Sequence, residues 1–333
     1  MTLSGRQPTT NLAASGSHPN PSPLKIAFAL VAVYLVWGST YLAIRVALES
    51  FPPFLMCGIR FVIAGVLLYV VMRMRGAPAP TPAQWRASAV IGTLLMGGGT
   101  GAVAFAEQWV ASGLAALEIA TTPLWAALFA GIWGRWPSRL EWTGLVLGLL
   151  GVGLLNLEGN LRGSPAGAAA LLLAPICWTF GSIWSRHLPI PSGLMASATK
   201  MLTGGAVLLL FGMICGESLP SAPSGRAVGA VIYLIVFGSL VAFSAYLFLL
   251  EHTRPALATS YAYVNPVIAV ILGWWLAAEP ITGRTLVAAA IIIAAVVLIT
   301  LHQVHEGIKT QRMTYPTALV EEEEEALESP DRA

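Results

Sequence analysis

Aspartate is almost missing from this chain of 333 residues: Asp331, near the C-terminus, is the only one. That excludes a paired-aspartate acid/base site and an aspartate-rich metal site. Charge of either sign is scarce, at 10% of residues against 56% hydrophobic, where a soluble domain carries about 25% charge. The composition is that of an integral membrane protein. Only three cysteines occur, Cys57, Cys177 and Cys215, each in an apolar run without CxxC spacing. They read as small packing residues, not as a disulfide framework or zinc site. The histidines, His18, His187, His252, His302 and His305, fall in loops, span ends or tails with no metal spacing. The piece "GTGAVA" at 99–104 lies inside an apolar span with no strand before it, so it is no dinucleotide fingerprint. No metal, cofactor, catalytic residue or nucleic-acid partner is expected.

What is present is apolar sequence in long runs. Windows of about 19 residues predict ten membrane helices. They lie near 24–44, 53–72, 86–106, 113–134, 140–157, 165–185, 194–214, 227–250, 256–278 and 284–303. The first 23 residues, polar and rich in Pro, Ser and Asn, read as a disordered arm. Residues 304–333 end in "EEEEEALESPDRA", a self-repelling acidic tail. With the N-terminus inside, eleven Lys and Arg fall in inside segments and four in outside segments. Positive flanks resist translocation, so both termini are expected in the cytoplasm.

The chain also repeats itself. A shift of 143 lays Leu114 over Leu257, Pro123 over Pro266 and Pro137 over Pro280; shifts of 141 and 140 pair Trp37 with Trp178, Arg45 with Arg186, and Arg60 with Lys200. The matches keep one order, which predicts two five-helix units, 24–157 and 165–303. Because five is odd, the second unit enters from the opposite side, giving an inverted repeat. The expected fold is therefore an all-α membrane protein of ten helices in two inverted repeats, a monomer or homodimer in the bilayer.

Polar side chains share helix faces in these spans. Glu118, Thr121, Thr122 and Trp125 follow i, i+3, i+4, i+7 spacing, and their repeat partners include Tyr261 and Asn265. Pro123 and Pro266 each free a carbonyl one turn back, tolerable where protein or a wet cavity satisfies it. Tyr34, Trp37 and Tyr41 share a face in the first span, Trp178 and Ser182 in the sixth, and Ser239, Phe243 and Tyr246 in the eighth. Together they predict an aromatic and hydroxyl lining with one carboxylate. Such a lining suits an organic, partly apolar solute better than an ion filter. The expected substrate-binding set is Tyr34, Trp37, Tyr41, Glu118, Thr122, Trp125, Trp178, Ser182, Tyr246, Tyr261 and Asn265. Arg60 and Lys200 read as snorkelling or paired side chains near span ends, and Glu107 and Glu279 as interfacial.

The segments "VWGSTYLAIRVALESFPPFLMCGIRF" (36–61), "SGLAALEIATTPLW" (112–125) and "PALATSYAYVNPVIAVILGWWLAAEP" (255–280) resemble the EamA family of the drug/metabolite transporter superfamily, and within it the YedA-like inner-membrane exporters. The resemblance runs through residues 25 to 303. It implies ten helices in two inverted repeats, cytoplasmic termini and an inner-membrane location. It also implies a central cavity formed by spans 1, 3, 4, 6, 8 and 9, and export of amino acids or other small metabolites. Such repeats often close their fourth helix with a glutamate; Glu279 matches, whereas Trp136 stands there in the first copy. The function expected is a secondary exporter of small amphipathic metabolites, drugs included, driven by the solute's own gradient or by a coupled proton or other ion. The alternatives are a multispan enzyme acting on lipids and a passive channel.

Overall fold

The computed structural model describes residues 22–134, 136–155, 157, 164–219, 221–253, 257 and 260–298, and among them there is helix but no strand. In chain order these are α1 (Pro23–Ala47), α2 (Pro53–Met74), α3 (Pro82–Gly92), a π-helical segment (Thr93–Gly101), α4 (Ala102–Ala106), α5 (Ser112–Ile119) and α6 (Thr122–Ala130). Then come α7 (Arg139–Leu155), α8 (Pro165–Trp184), α9 (Gly193–Ile214), α10 (Gly225–Tyr233), a second π segment (Leu234–Val241), α11 (Ala242–His252), α12 (Tyr261–Ala277) and α13 (Gly283–Leu298). Proline opens α1, α2, α3 and α8, where its missing N–H costs nothing and its fixed φ suits the first turn. Thr81 and Gln84 close a capping box on α3, and Ser164 caps α8.

Seven stretches are long and apolar enough to cross a membrane: Pro23–Ala47, Pro53–Met74, Pro82–Ala106, Ser112–Phe129, Pro165–His187, Gly193–Ile214 and Gly225–Leu249. The remaining expected spans, 140–157, 256–278 and 284–303, coincide with α7, α12 and α13, shorter helices in their described parts. The expected arm, apart from residues 22 and 23, and the acidic tail lie outside the described residues. On α1 the exposed stripe is Leu24, Phe28, Val31 and Leu35, while Ala29, Val33 and Ile44 are buried. An exposed apolar stripe at helical spacing is a lipid-facing surface.

Glycine sets the closest helix contacts. The neighbours α2 and α9 pack antiparallel: a methyl group added at Gly58 would strike Leu209, at Gly65 Leu202, and at Gly205 Val62. The last two contacts are reciprocal under the shift of 140 residues, which carries Gly65 to Gly205 and Val62 to Leu202. Gly92 and Gly204 meet backbone to backbone, each added methyl lying 2.4 Å from a carbonyl oxygen, of Lys200 and Gly92 respectively. Small residues allow such approach where lipid supplies no hydrophobic drive between helices. Beside them Ser88 Oγ donates to Thr199 Oγ1 at 2.9 Å, and Thr203 Oγ1 to the Ser88 carbonyl at 2.9 Å. The cysteines are free, with Cys57 buried, Cys177 half-buried and Cys215 exposed, so only Cys57 packs fully as a small hydrophobe.

Candidate functional site

α1 leans on α11 and α12, while α8 leans on the first π segment, α4 and α6. Between these groups lies a partly open cavity of about 110 Å³. α1 contributes Trp37, Thr40, Tyr41 and Ile44 to its wall, and the first π segment contributes Gly99 and Thr100. Ala116, Ile119, Ala120 and Thr122 come from α5, α6 and the break between them. Trp178 on α8, Phe243 on α11, and Tyr261, Asn265 and Pro266 on α12 complete the far side. Extra backbone in a π turn displaces the helix locally, a distortion common at functional sites. Here it brings Gly99 under the Trp178 ring, where an added methyl would sit 3.0 Å from the indole.

Local chemistry explains the break at Pro123. α5 stops at Ile119 and α6 starts at Thr122, with the proline in its first turn. The carbonyl that the proline frees is satisfied by the chain itself: Thr122 Oγ1 donates to the Ile119 carbonyl at 2.5 Å, and Thr121 Oγ1 to that of Glu118 at 2.7 Å. Across the gap, Thr179 Oγ1 donates to the Thr122 carbonyl at 3.3 Å.

Of the expected site residues, Trp37, Tyr41, Thr122, Trp178, Tyr261 and Asn265 meet on this wall. Trp37 is its hub: its indole N–H donates to the Gly238 carbonyl at 3.2 Å, and its ring lies 4.9 Å from Tyr261, 5.2 Å from Tyr246 and 5.3 Å from Phe243. Asn265 is 5% exposed and its Oδ1 has no hydrogen-bond partner. The other five stand outside the wall. Tyr246 packs edge-on behind Tyr261, Tyr34 bonds Ser260 at 2.5 Å, and Ser182 bonds back to the Trp178 carbonyl at 2.7 Å. Trp125 stacks on Phe129. Glu118 is 1% exposed with Oε2 unpartnered, buried near the cavity and not lining it.

Arg60 is the residue that the sequence misplaced. It neither snorkels nor pairs with a carboxylate; it is 3% exposed and lines the cavity from α2. Its Nε donates to Ser239 Oγ at 2.9 Å, its guanidinium carbon lies 4.8 Å from the centre of the Phe61 ring, and its Nη1 has no partner. A second span thus joins the six that the family resemblance implies. The signal was a permanent cation seven residues inside an apolar helix.

Elsewhere, glutamates bind neighbouring helix starts. Glu217 accepts from the Phe54 and Leu55 N–H groups at 3.2 and 2.8 Å, and Glu279 from those of Ser112 and Gly113 at 2.8 and 3.1 Å. A carboxylate there meets both free donors and the positive end of the helix dipole. Glu279 is therefore a helix cap, while Glu107 is fully buried, and both its carboxyl oxygens lack partners. It follows the end of α4, where the Arg45 guanidinium donates to its backbone carbonyl. Burial pushes the Glu107 carboxyl well above its ordinary value, the Glu279 charge adds to this, and Arg45 opposes it. A carboxyl raised on folding stabilises the fold fully below its ordinary range, and that stability is lost as pH rises toward the raised value. Glu107→Gln should therefore match the wild type in melting temperature at acidic pH and exceed it, by on the order of a few °C, as pH climbs above the ordinary carboxyl range. A difference that stays constant with pH would contradict this. Among the described residues no cluster of three His, Cys, Asp or Glu could hold a metal.

Comparison with known proteins gives the class. The EamA-like transporter family matches twice, over residues 24–157 and 165–301, and the chain belongs to that family. The inner membrane transporter YedA of Escherichia coli (strain K12) is 46% identical over 274 residues, 82% of this chain and 90% of the relative. The transporter YoaV of Bacillus subtilis (strain 168) is 25% identical, covering 83% and 97%, and Protein PecM of Dickeya dadantii (strain 3937) is 26% identical, covering 79% and 88%. A solved crystal structure superposes with a TM-score of 0.57 at 22% identity, over 84% of this chain and 96% of the other, a likeness of fold.

Proposed function

We propose that this transporter is a secondary-active exporter of small organic metabolites, amino acids or related amphipathic compounds, which exposes one cavity alternately to each side of the membrane. The observation that carries the reading is the cavity itself: helices from both halves of the chain wall it, and Thr40, Thr100, Thr122 and Asn265 stand among its aromatic and apolar lining. Aromatic faces supply dispersion, and hydroxyl and amide groups orient polar ends of the solute. Trp37, Tyr41, Thr122, Trp178, Tyr261 and Asn265 would touch it, with Tyr34, Glu118, Trp125, Ser182 and Tyr246 in the layer behind.

Ten helices in two inverted units are part of this proposal, and three observations support them. The family matches two consecutive stretches. The two π segments fall 141 residues apart, at 93 and 234. The repeat partners α2 and α9 pack antiparallel through reciprocal glycines. Repeats of opposite direction around a shared site are the architecture that rocking transport uses. The printed name of the Escherichia coli relative supports the inner membrane, and the eleven-to-four distribution of basic residues supports cytoplasmic termini. Solute counterflow in proteoliposomes tests the reading. A carrier accelerates exchange when solute is present on both sides, a channel does not, and an enzyme leaves altered product.

A further inference from the structure

The cavity wall carries one charged side chain among the described residues, Arg60, and that charge is incompletely satisfied. Arg60 is 3% exposed, away from the lipid-facing surface. Ser239 takes Nε, the Phe61 ring covers one face, and Nη1 has no partner. Gly238, in the second π segment, keeps the place open: a methyl there would lie 3.0 Å from Arg60 Nη2. Burying a cation without an anion is costly unless a partner arrives, and guanidinium matches a carboxylate through two parallel N–H···O bonds. Two carboxylates are buried among the described residues, Glu107 and Glu118, and neither is on the cavity wall.

We infer that Arg60 is the anchor for a carboxylate on the transported solute, so that the cavity selects organic anions and zwitterions with a flat apolar body and rejects cations. Held by the guanidinium, such a solute would lay its apolar part toward Trp37, Trp178 and Tyr261 on the same wall. Asn265 on that wall is a polar group for the solute's other end. The volume of about 110 Å³, at about 10–15 Å³ per solvent-sized atom, holds on the order of ten non-hydrogen atoms. This rests on the reading of the cavity as the solute site.

Three probes of nearly equal shape separate charge from size: benzoate, benzamide and benzylamine. Binding is measured by calorimetry on the purified full-length protein in detergent. Benzoate should bind roughly ten- to a hundredfold tighter than benzamide, the range for a hydrogen bond to a charged group, and benzylamine should not bind. Arg60→Gln should bind benzoate no tighter than it binds benzamide, while Arg60→Lys should keep part of the preference. The wild-type order alone decides the matter should Arg60→Gln not fold. Benzylamine or benzamide binding as tightly as benzoate, absence of benzoate binding, or a benzoate preference that survives in Arg60→Gln would overturn the assignment. Counterflow separates this from the carrier reading. Arg60-dependent benzoate binding without accelerated exchange keeps the anion site and removes the carrier; accelerated exchange of benzylamine does the reverse.

Discussion

Gly204→Leu is expected to yield no folded protein, and Gly204→Ala a protein destabilised by about 3 kcal/mol, at or above the usual cost of overpacking. An added methyl at Gly204 falls 2.4 Å from the Gly92 carbonyl oxygen and 2.7 Å from its carbon. Both are backbone atoms, which cannot swing aside as a side-chain tip can. Moving them apart would also strain the Ser88–Thr199 and Thr203–Ser88 hydrogen bonds that join α3 to α9. Gly229, exposed on α10 with nothing within 4 Å of an added methyl, is the control. There alanine should stabilise by about 0.5–1 kcal/mol through helix propensity alone. Detergent melting curves of the two alanine variants check the opposite signs. A Gly204→Ala protein that melts with the wild type would show that α3 and α9 do not meet in this way.

Trp37→Ala is expected to lower counterflow about a hundredfold or more, the equivalent of about 3 kcal/mol. Truncating a fully buried aromatic costs about 3–5 kcal/mol, and Trp37, half-buried, lies toward the lower end. Three rings and the Gly238 carbonyl converge on this indole from α11, α12 and the second π segment. Trp37→Phe keeps ring packing and loses the hydrogen bond, so it should retain most of the folding stability and part of the transport. Equal counterflow in the wild type and Trp37→Ala would remove the indole from the site.

Much of this arrangement was legible because it is local. Hydropathy windows found the helices, since a run of apolar residues must satisfy its own backbone in lipid. Helical spacing put Trp37 and Tyr41 on one face of α1, and Tyr261 and Asn265 on one face of α12, and those four do line the cavity. The same spacing put Glu118, Thr122 and Trp125 on one face, yet only Thr122 lines the cavity, because the spacing assumed one continuous helix. The chain ends α5 at Ile119 and restarts at Thr122, so the angle per residue is not kept across Pro123. Tyr246 was a failure of another kind. A helix face can be read from sequence, but which neighbour covers it cannot, and Tyr261 stands in front. For Arg60 a long stem near a helix end allowed snorkelling. Only the packing of α2 against α9 and the second π segment turns the guanidinium inward. The π segments themselves arise from how spans fit together, and glycine in "TLLMGGGTG" only permits the first of them.

The central claim is that one cavity is reached from both sides in turn. Ala120 lies on its wall and is 3% exposed, and cysteine is close enough to alanine in size to sit there. Ala120→Cys, in a protein whose Cys57, Cys177 and Cys215 are replaced by alanine, should react with a membrane-impermeant thiol reagent added from either face of oriented vesicles, and a transported solute should slow both reactions. Labelling from one face only, or from neither, in protein that still transports would contradict the account.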